Sequence, residues 1–514
     1  MTNPLPGSPR RHSLSGKLGL LLLVALALAP RLSGLDSPPV DAHHVRQADT
    51  ANIARNMLRE GIDVLHPRID WAGPDGGYVE SELPLYAASV ALLWRALGQN
   101  YQPEPTWPRL ISILCWLLGG VVLLALVHRR LRGPPWVYVL LYAFSPLAIV
   151  FSRNIQPDPM AVLLLLIGLE RADAAAERDG ASAWLGALVA GLAMGLAVAA
   201  KGTLALFLPL IPAILWARHR SVAAPRAALA LLPAVLIPAL WYWHAHTTLG
   251  AEGASFGLWG ASAHKWGGPG LWFDLATWRA ILGSAAAETL TPLGLVLLVR
   301  GIVVARRDPE LRMYVFGVLL LAVGCVVLAE GFALHNYYQL PLVPFASVLC
   351  GAALVDGSKR LAQWGALSNR MRAGLAASAL LLVIISVQVG AGFHSQSLRR
   401  DLRVEEVSRG ASAMLPRQHS VVVADRHPQT IIYAIDRRGW HRTRLPPREL
   451  RKLQGLGAEY LLLTDTVSEF RAPEMHRYLR LAAVREASGP GWVLYWLRAA
   501  PPLQPAASTA PGGG

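Results

Sequence analysis

Apolar runs long enough to cross a lipid bilayer follow one another along most of this chain, separated by short basic clusters. Inside hydrocarbon every backbone amide must be satisfied by the chain itself, so such runs become helices. Of 514 residues, 53% are hydrophobic and 16% are charged, with a mean hydropathy of +0.37. Soluble proteins carry roughly a quarter charged residues, so a soluble globular enzyme is excluded. The net charge of +15 would elsewhere suggest nucleic acid. Here the basic residues fall between hydrophobic segments, so the positive-inside rule explains the surplus and no nucleic-acid partner is expected. Cys115, Cys325 and Cys350 all sit in apolar stretches, which rules out a disulfide framework or a cysteine zinc site. Lysine is scarce beside arginine, and alanine, glycine and proline abound, an association with GC-rich bacterial genomes.

Read as a topology, the chain starts with Arg10, Arg11 and Lys17 on the cytoplasmic side of a first span at 18–32. A long polar segment, 35–106, follows on the far side, and its short apolar stretch 83–97 suits an interfacial or re-entrant helix. Further spans are expected at 110–127, 135–151, 159–169, 182–200, 203–217, 227–246, 281–299, 313–329, 340–355 and 373–391. This is a polytopic α-helical membrane protein of about eleven spans, with every basic cluster between them on the cytoplasmic side. After 392 the composition changes: Val421–Asp425, Tyr460–Leu463 and Trp492–Trp496 read as strands, and Gln429–Ile435 and Arg448–Leu456 as helices. The expected organisation is a transmembrane domain over 1–391, a small soluble α/β domain over 392–500 on the same side as the first loop, and a disordered Pro/Ala/Gly-rich tail, 501–514.

Polar residues concentrate at the non-cytoplasmic span ends. The clusters are Asp41-Ala42-His43-His44-Val45-Arg46, Glu80-Ser81-Glu82-Leu83-Pro84, Arg153 to Asp158, Lys201-Gly202 and His335-Asn336-Tyr337-Tyr338-Gln339. Charged groups at membrane depth are costly and usually line a cavity or pair with one another. Each has a plainer reading alongside. Asp41 suits a helix cap, Asp158 a turn or cap between two prolines, Glu82 a dipole partner at a helix start, and Lys201 a snorkelling side chain. His43, His44 and His335 suit interfacial polar positions as well as ligands. Five loops carrying related chemistry on one face point to an outward-facing active site.

The order of these clusters resembles the GT-C superfamily of integral-membrane glycosyltransferases, specifically bacterial relatives of the dolichyl-phosphate-mannose–protein mannosyltransferases and the lipid A aminoarabinose transferase. The resemblance is carried by Arg46-Gln47-Ala48-Asp49-Thr50-Ala51-Asn52-Ile53-Ala54-Arg55-Asn56, by His66-Pro67-Arg68-Ile69-Asp70-Trp71 and by Ser81-Glu82-Leu83-Pro84-Leu85-Tyr86, and it covers about residues 15–390. It implies Asp41 as general base, Asp158 as a second catalytic acid after the third span, and Glu82 as an acid that in the aminoarabinose transferase helps to bind a metal. There the next residue is lysine, whereas here it is Leu83, and Asp41 is followed by Ala42 where many relatives have a second acid.

The chemistry fits the residues. A sugar on a polyprenyl phosphate needs no nucleotide fold, attack by an acceptor hydroxyl needs a base, and the leaving phosphate needs positive charge. Asp41 supplies the base, and Arg46, Arg153 and Lys201 are candidate phosphate partners, with His43, His44, His335, Tyr337 and Tyr338 in the substrate cavity. Glu82, Asp158 and His264 offer ligands for a divalent cation, although abundant arginine favours phosphate binding without one. The expected partners are a polyprenyl-phosphate-linked sugar, a lipid, glycan or protein acceptor, and membrane lipids. The expected place is the bacterial inner membrane, with the site facing the periplasm and the anomeric centre inverted. The rival class is a transporter or lipid flippase, which would place ionisable residues in mid-helix.

Overall fold

A computed structural model describes residues 14–99, 103–218, 220–250, 254–255, 265–361 and 368–498. His264 and the tail 501–514 lie outside the described residues. The chain divides into two compact units. The first comprises Met1–Asp36, Arg109–Leu240 and Ala263–Leu398, and the second comprises Ser37–Pro108, Trp241–Ser262 and Arg399–Gly514.

The first unit is helical. Among the described residues, six helices are long and apolar enough to cross a membrane, or seven if the pair Leu275–Thr289 and Thr291–Ala305, bent by 97°, counts as one crossing. All eleven runs expected from sequence fall on helix, yet several are broken or short. Proline at 146 splits 135–151 into Leu140–Phe144 and Pro146–Phe151, and 203–217 opens as a 3-10 turn before the nine-residue helix Leu210–Arg218. The helix Asp158–Glu177 is long enough, but its last turns carry Glu170, Arg171, Asp173 and Glu177. Those acids meet the basic end of the helix Thr106–Arg130. Arg129 bonds Glu170 and lies 3.1 Å from Asp173, while Arg130 pairs with Asp173 at 2.6 Å and with Glu177. Two clusters that the topology assigns to the cytoplasmic side thus occupy one end of the unit.

Glycine lets these helices approach. On Ala181–Ala200, a Cβ at Gly191 would overlap the Ala230 carbonyl of the helix Arg220–His244, and one at Gly195 would lie 2.5 Å from the Pro233 carbonyl. This is the small-xxx-small spacing that allows backbone contact between membrane helices. Gly301 packs in the same way on Leu349 of the helix Leu342–Leu361.

The second unit is built on a six-stranded sheet that recruits the first long loop. Its strands are β2 (Ala72–Gly73), β4 (Val421–Ala424), β5 (Gly439–Arg442), β6 (Tyr460–Thr464), β7 (Ala483–Gly489) and β8 (Trp492–Leu497), in the order β2-β5-β4-β6-β8-β7. The fully buried β4 runs parallel to both β5 and β6, and β2 closes one edge antiparallel, with Ala72 opposite Trp440. β1 (Arg68–Ile69) and β3 (Gly77–Tyr78) form a separate two-stranded ribbon. The strands and helices expected after residue 420 are present, while β5, β7 and the recruitment of β2 were not anticipated.

A buried polar network explains the first-loop motif. On the helix His44–Glu60, the Asn52, Arg55 and Asn56 side chains donate to the Asp70 carboxylate at 2.5, 3.0 and 3.0 Å, and the Asp70 amide donates back to Asn52. Arg55 and Arg59 pair with Asp436 at 3.3 and 2.8 Å, at the end of the helix Pro428–Ile435. The spacing 52, 55, 56, 59 is one stripe of a helix, here polar and turned inward. Replacing Gly191 with valine is expected to abolish recovery of monodisperse protein in detergent. The same change at Gly374, where an added Cβ meets nothing within 4 Å, is expected to leave size-exclusion profiles unchanged.

Candidate functional site

In the first unit the acid and the lysine singled out from sequence meet. Asp158 begins its helix without capping it by side chain, and Lys201 ends the helix Ala181–Ala200. Lys201 Nζ lies 3.1 Å from Asp158 Oδ1, with both side chains about 95% buried. Lys201 therefore does not snorkel, and Asp158 is an ion-pair member rather than a turn residue. The ammonium also sits 4.9 Å from the ring centres of Tyr337 and Tyr338. The two rings and His335 pack within 5.3–5.4 Å of one another. Aromatic faces hold a cation without neutralising it.

The motif around the tyrosines is anchored by its other members. Asn336 donates to Glu288 at 2.7 Å, and Gln339 donates to the Ile281 carbonyl and accepts from Thr289. The 152–157 loop is pinned by Ser112 donating to the Asn154 carbonyl at 2.7 Å. Arg153 is fully buried and donates to the Gly34 carbonyl at 2.9 Å. Two residues before Asp158 stands Gln156, a residue that sequence reasoning passed over. It is fully buried, and neither its amide nitrogen nor its oxygen has a partner among the described residues; Asp158 Oδ2 likewise has none. Such groups are rare unless a ligand or water completes them.

In the second unit, Asp41 is buried and accepts from Gln47 Nε2 at 2.6 Å. It does not cap the helix His44–Glu60. The residue before that helix is His43, in the left-handed region at φ +52°, with no side-chain capping bond. Gln47, one turn in, holds the carboxylate in place and had no separate signal in the sequence beyond its place in the motif. Arg46 bonds Glu82 at 2.7 Å, so that acid too is held by a cation rather than spent on the following helix. The neighbouring Glu80 meets His246 at 3.3 Å, and the Trp241 indole donates to the Ser81 carbonyl. His44 bonds Thr430 at 2.8 Å and packs edge-on against His427 at 4.6 Å.

Among the described residues, no three His, Cys, Asp or Glu side chains gather closely enough to hold a metal. Glu82 and Asp158 are each already paired with a cation.

Compared by sequence with curated proteins, the chain matches none. The family model described as dolichyl-phosphate-mannose-protein mannosyltransferase matches residues 104–243, a stretch that includes Asp158 and Lys201. Three solved structures share the fold. ArnT from Cupriavidus metallidurans, bound to undecaprenyl phosphate, aligns with a TM-score of 0.60 at 15% identity, over 93% of this chain and 98% of that one. The archaeal oligosaccharyltransferase AglB from Archaeoglobus fulgidus, in complex with an inhibitory peptide and a dolichol-phosphate, aligns at 0.56 and 12% over 88% and 70%. The arabinofuranosyltransferase AftD from Mycobacteria aligns at 0.52 and 14% over 94% and 40%. The chain therefore has the helical membrane fold of these proteins.

Burial gives this second unit a pH response. It drives the His44 imidazole down to about 4, with His427 adding to the effect, and the His441 imidazole also down to about 4, helped by Arg442. An unfolded imidazole titrates near 6.5. Between pH 6.5 and 4 the unfolded chain binds protons that the folded unit refuses, so acidification across that window favours unfolding. Asp49 acts in the opposite sense, since burial pushes its carboxyl up to about 6. His427 is held down by burial as well, so the lowered groups outweigh Asp49, and hydrogen-exchange protection over Val421–Ala424 and Tyr460–Thr464, corrected for the intrinsic exchange rate, is expected to fall as the pH is lowered from 7 to 5. His44→Gln, which keeps a hydrogen-bonding group for Thr430 but cannot charge, is expected to blunt that change.

Proposed function

We propose that this chain is a GT-C membrane glycosyltransferase that moves a sugar from a polyprenyl phosphate to an acceptor hydroxyl at the periplasmic face of a bacterial inner membrane. The observation that carries this reading is the buried Asp158–Lys201 pair, framed by Tyr337 and Tyr338. It lies within the family-matched stretch of a chain whose fold is shared with a protein crystallised with undecaprenyl phosphate.

In this mechanism Asp41, steadied by Gln47, takes the proton of the acceptor hydroxyl as that oxygen attacks the anomeric carbon. The bond from that carbon to the phosphate oxygen breaks, the centre inverts, and the polyprenyl phosphate leaves. In the first unit Lys201, oriented by Asp158, and Arg153 stabilise the departing phosphate; in the second unit Arg46, oriented by Glu82, is a further candidate phosphate partner. Gln156 offers both a donor and an acceptor to a sugar hydroxyl. His43, His44 and His335 shape the acceptor and donor cavities. Because both acids are already paired with cations, phosphate stabilisation by arginine and lysine is preferred over a divalent ion held by Glu82 and Asp158.

Mass spectrometry of envelope glycans and glycoproteins with and without the gene identifies the sugar and acceptor. With that substrate in hand, Asp41→Asn is expected to lower kcat by ~10²–10⁴-fold while folding stays intact. Full activity would reduce Asp41 to a structural residue. Gln156→Leu is expected to raise KM and spare expression. Activity is expected to survive exhaustive EDTA treatment and to fall in Arg153→Ala. An EDTA-sensitive enzyme rescued by Mg²⁺, Mn²⁺ or Zn²⁺ would overturn the metal-free part of the mechanism.

A further inference from the structure

Apart from the Lys201 pair, the first unit contains a cavity of about 610 Å³ with an almost wholly apolar lining, within the roughly 300–1,000 Å³ range of small-molecule sites. Its outer wall is the helix Asn369–Ser397, which contributes Val383, Ser386, Val387, Gly390, Ala391 and His394. These positions form one stripe of a helix. Leu380, Leu381 and Ile384 on the same helix are exposed, as expected of a surface facing lipid. The cavity therefore lies between the bulk of the unit and a helix that is only 6% buried over its apolar window, open to a chain arriving sideways from the bilayer.

The lining of this apolar space includes one imidazole and the residue that precedes a buried arginine. His394 lines it, and its Nδ1 is buried with no partner among the described residues. Arg31 follows the lining residue Pro30 and is 1% exposed. It donates to Ser152 Oγ at 2.7 Å and to the carbonyls of Ala27 and Ala143, leaving its second terminal nitrogen buried without a partner. Among the described residues no carboxylate pairs with it. The Arg31 and Arg153 guanidiniums both lie near enough to His394 to act on it electrostatically. A buried guanidinium with no counter-charge is expensive unless an anion completes it.

We propose that this cavity is a resting site for the spent carrier: a polyprenyl phosphate stripped of its sugar, its tail in the apolar space and its phosphate on Arg31 and His394, beside Arg153. This rests on the reading of the chain as an enzyme that consumes a polyprenyl-phosphate sugar. The charge argument selects the product over the donor. The sugar-bearing phosphodiester carries one negative charge, whereas the freed monoester carries about −1.5 to −2 and an additional oxygen acceptor. Two permanent cations and an imidazole complement the monoester better. Arg153 stands on the loop that leads into the helix begun by Asp158.

The test is native mass spectrometry of the detergent-released full chain titrated with undecaprenyl phosphate, with undecaprenol and phosphatidylglycerol as comparison ligands. The wild type is expected to take two equivalents of undecaprenyl phosphate. Arg31→Gln and Ala391→Trp, the second a filler on the lipid-facing helix that leaves the buried cations untouched, are each expected to weaken one equivalent at least tenfold. Lys201→Gln is expected to weaken the other. A single equivalent in the wild type overturns the proposal, as does retention of both in Ala391→Trp. Displacement of the second equivalent by phosphatidylglycerol as readily as by undecaprenyl phosphate also overturns it, since the occupant would then be an ordinary phospholipid. The count of bound lipid does not depend on turnover, so full activity in Asp41→Asn would sink the catalytic assignment while leaving this result readable.

Discussion

A charge taken out of water inside a bundle of apolar helices must meet its opposite within a few ångströms, and that requirement organises both ends of the first unit. At one end, Arg129, Arg130 and Arg171 engage Glu170, Asp173 and Glu177, three cations against three carboxylates, in a network that joins two helices. At the other, Lys201 pairs with Asp158 and lies against the rings of Tyr337 and Tyr338. The contrast is one of saturation. The first cluster has every carboxylate engaged by arginine, and its geometry is that of a clamp. The second keeps a carboxylate oxygen and the Gln156 side-chain amide without partners among the described residues.

How much of this could be read from sequence follows from the range of the interactions involved. Apolar runs and basic clusters are local, so the helices fell where expected. Their suitability as crossings did not, because a proline break at 146 and the charged last turns of Asp158–Glu177 decide it. The Asp158–Lys201 pair was legible as two clusters on one face, but the pairing itself is set by how two helices cross. For Asp41, Glu82 and Lys201 the plainer readings fail because neither acid bonds the start of the helix that follows it and each of the three side chains takes a particular partner, Gln47, Arg46 and Asp158 respectively.

The first-loop motif was the strongest signal in the sequence, and most of its residues prove to be architectural. Asn52, Arg55 and Asn56 grip Asp70 and Asp49 holds the indole of Trp71, while Gln47 bonds Asp41 and Arg46 bonds Glu82. A conspicuous polar pattern can mark the frame that holds a site as readily as the site. In sequence the two look alike, since both demand particular hydrogen-bonding groups at fixed spacing.

The pairing of β2 with β5 has a consequence for how the protein is made. Ala72 finds its partner in Trp440, so the first loop leaves the ribosome long before the strand that completes its sheet exists. At about 5–20 residues per second the wait is on the order of tens of seconds. Through that interval the polar stripe of the loop bearing Asp41 has Asp70 to bond but lacks Asp436, the partner of Arg55 and Arg59. Assembly of the second unit is thus a late event of high contact order, governed by the last strands synthesised. A nascent chain stopped before Val421 would carry the loop's chemistry in full and lack the scaffold that shapes it.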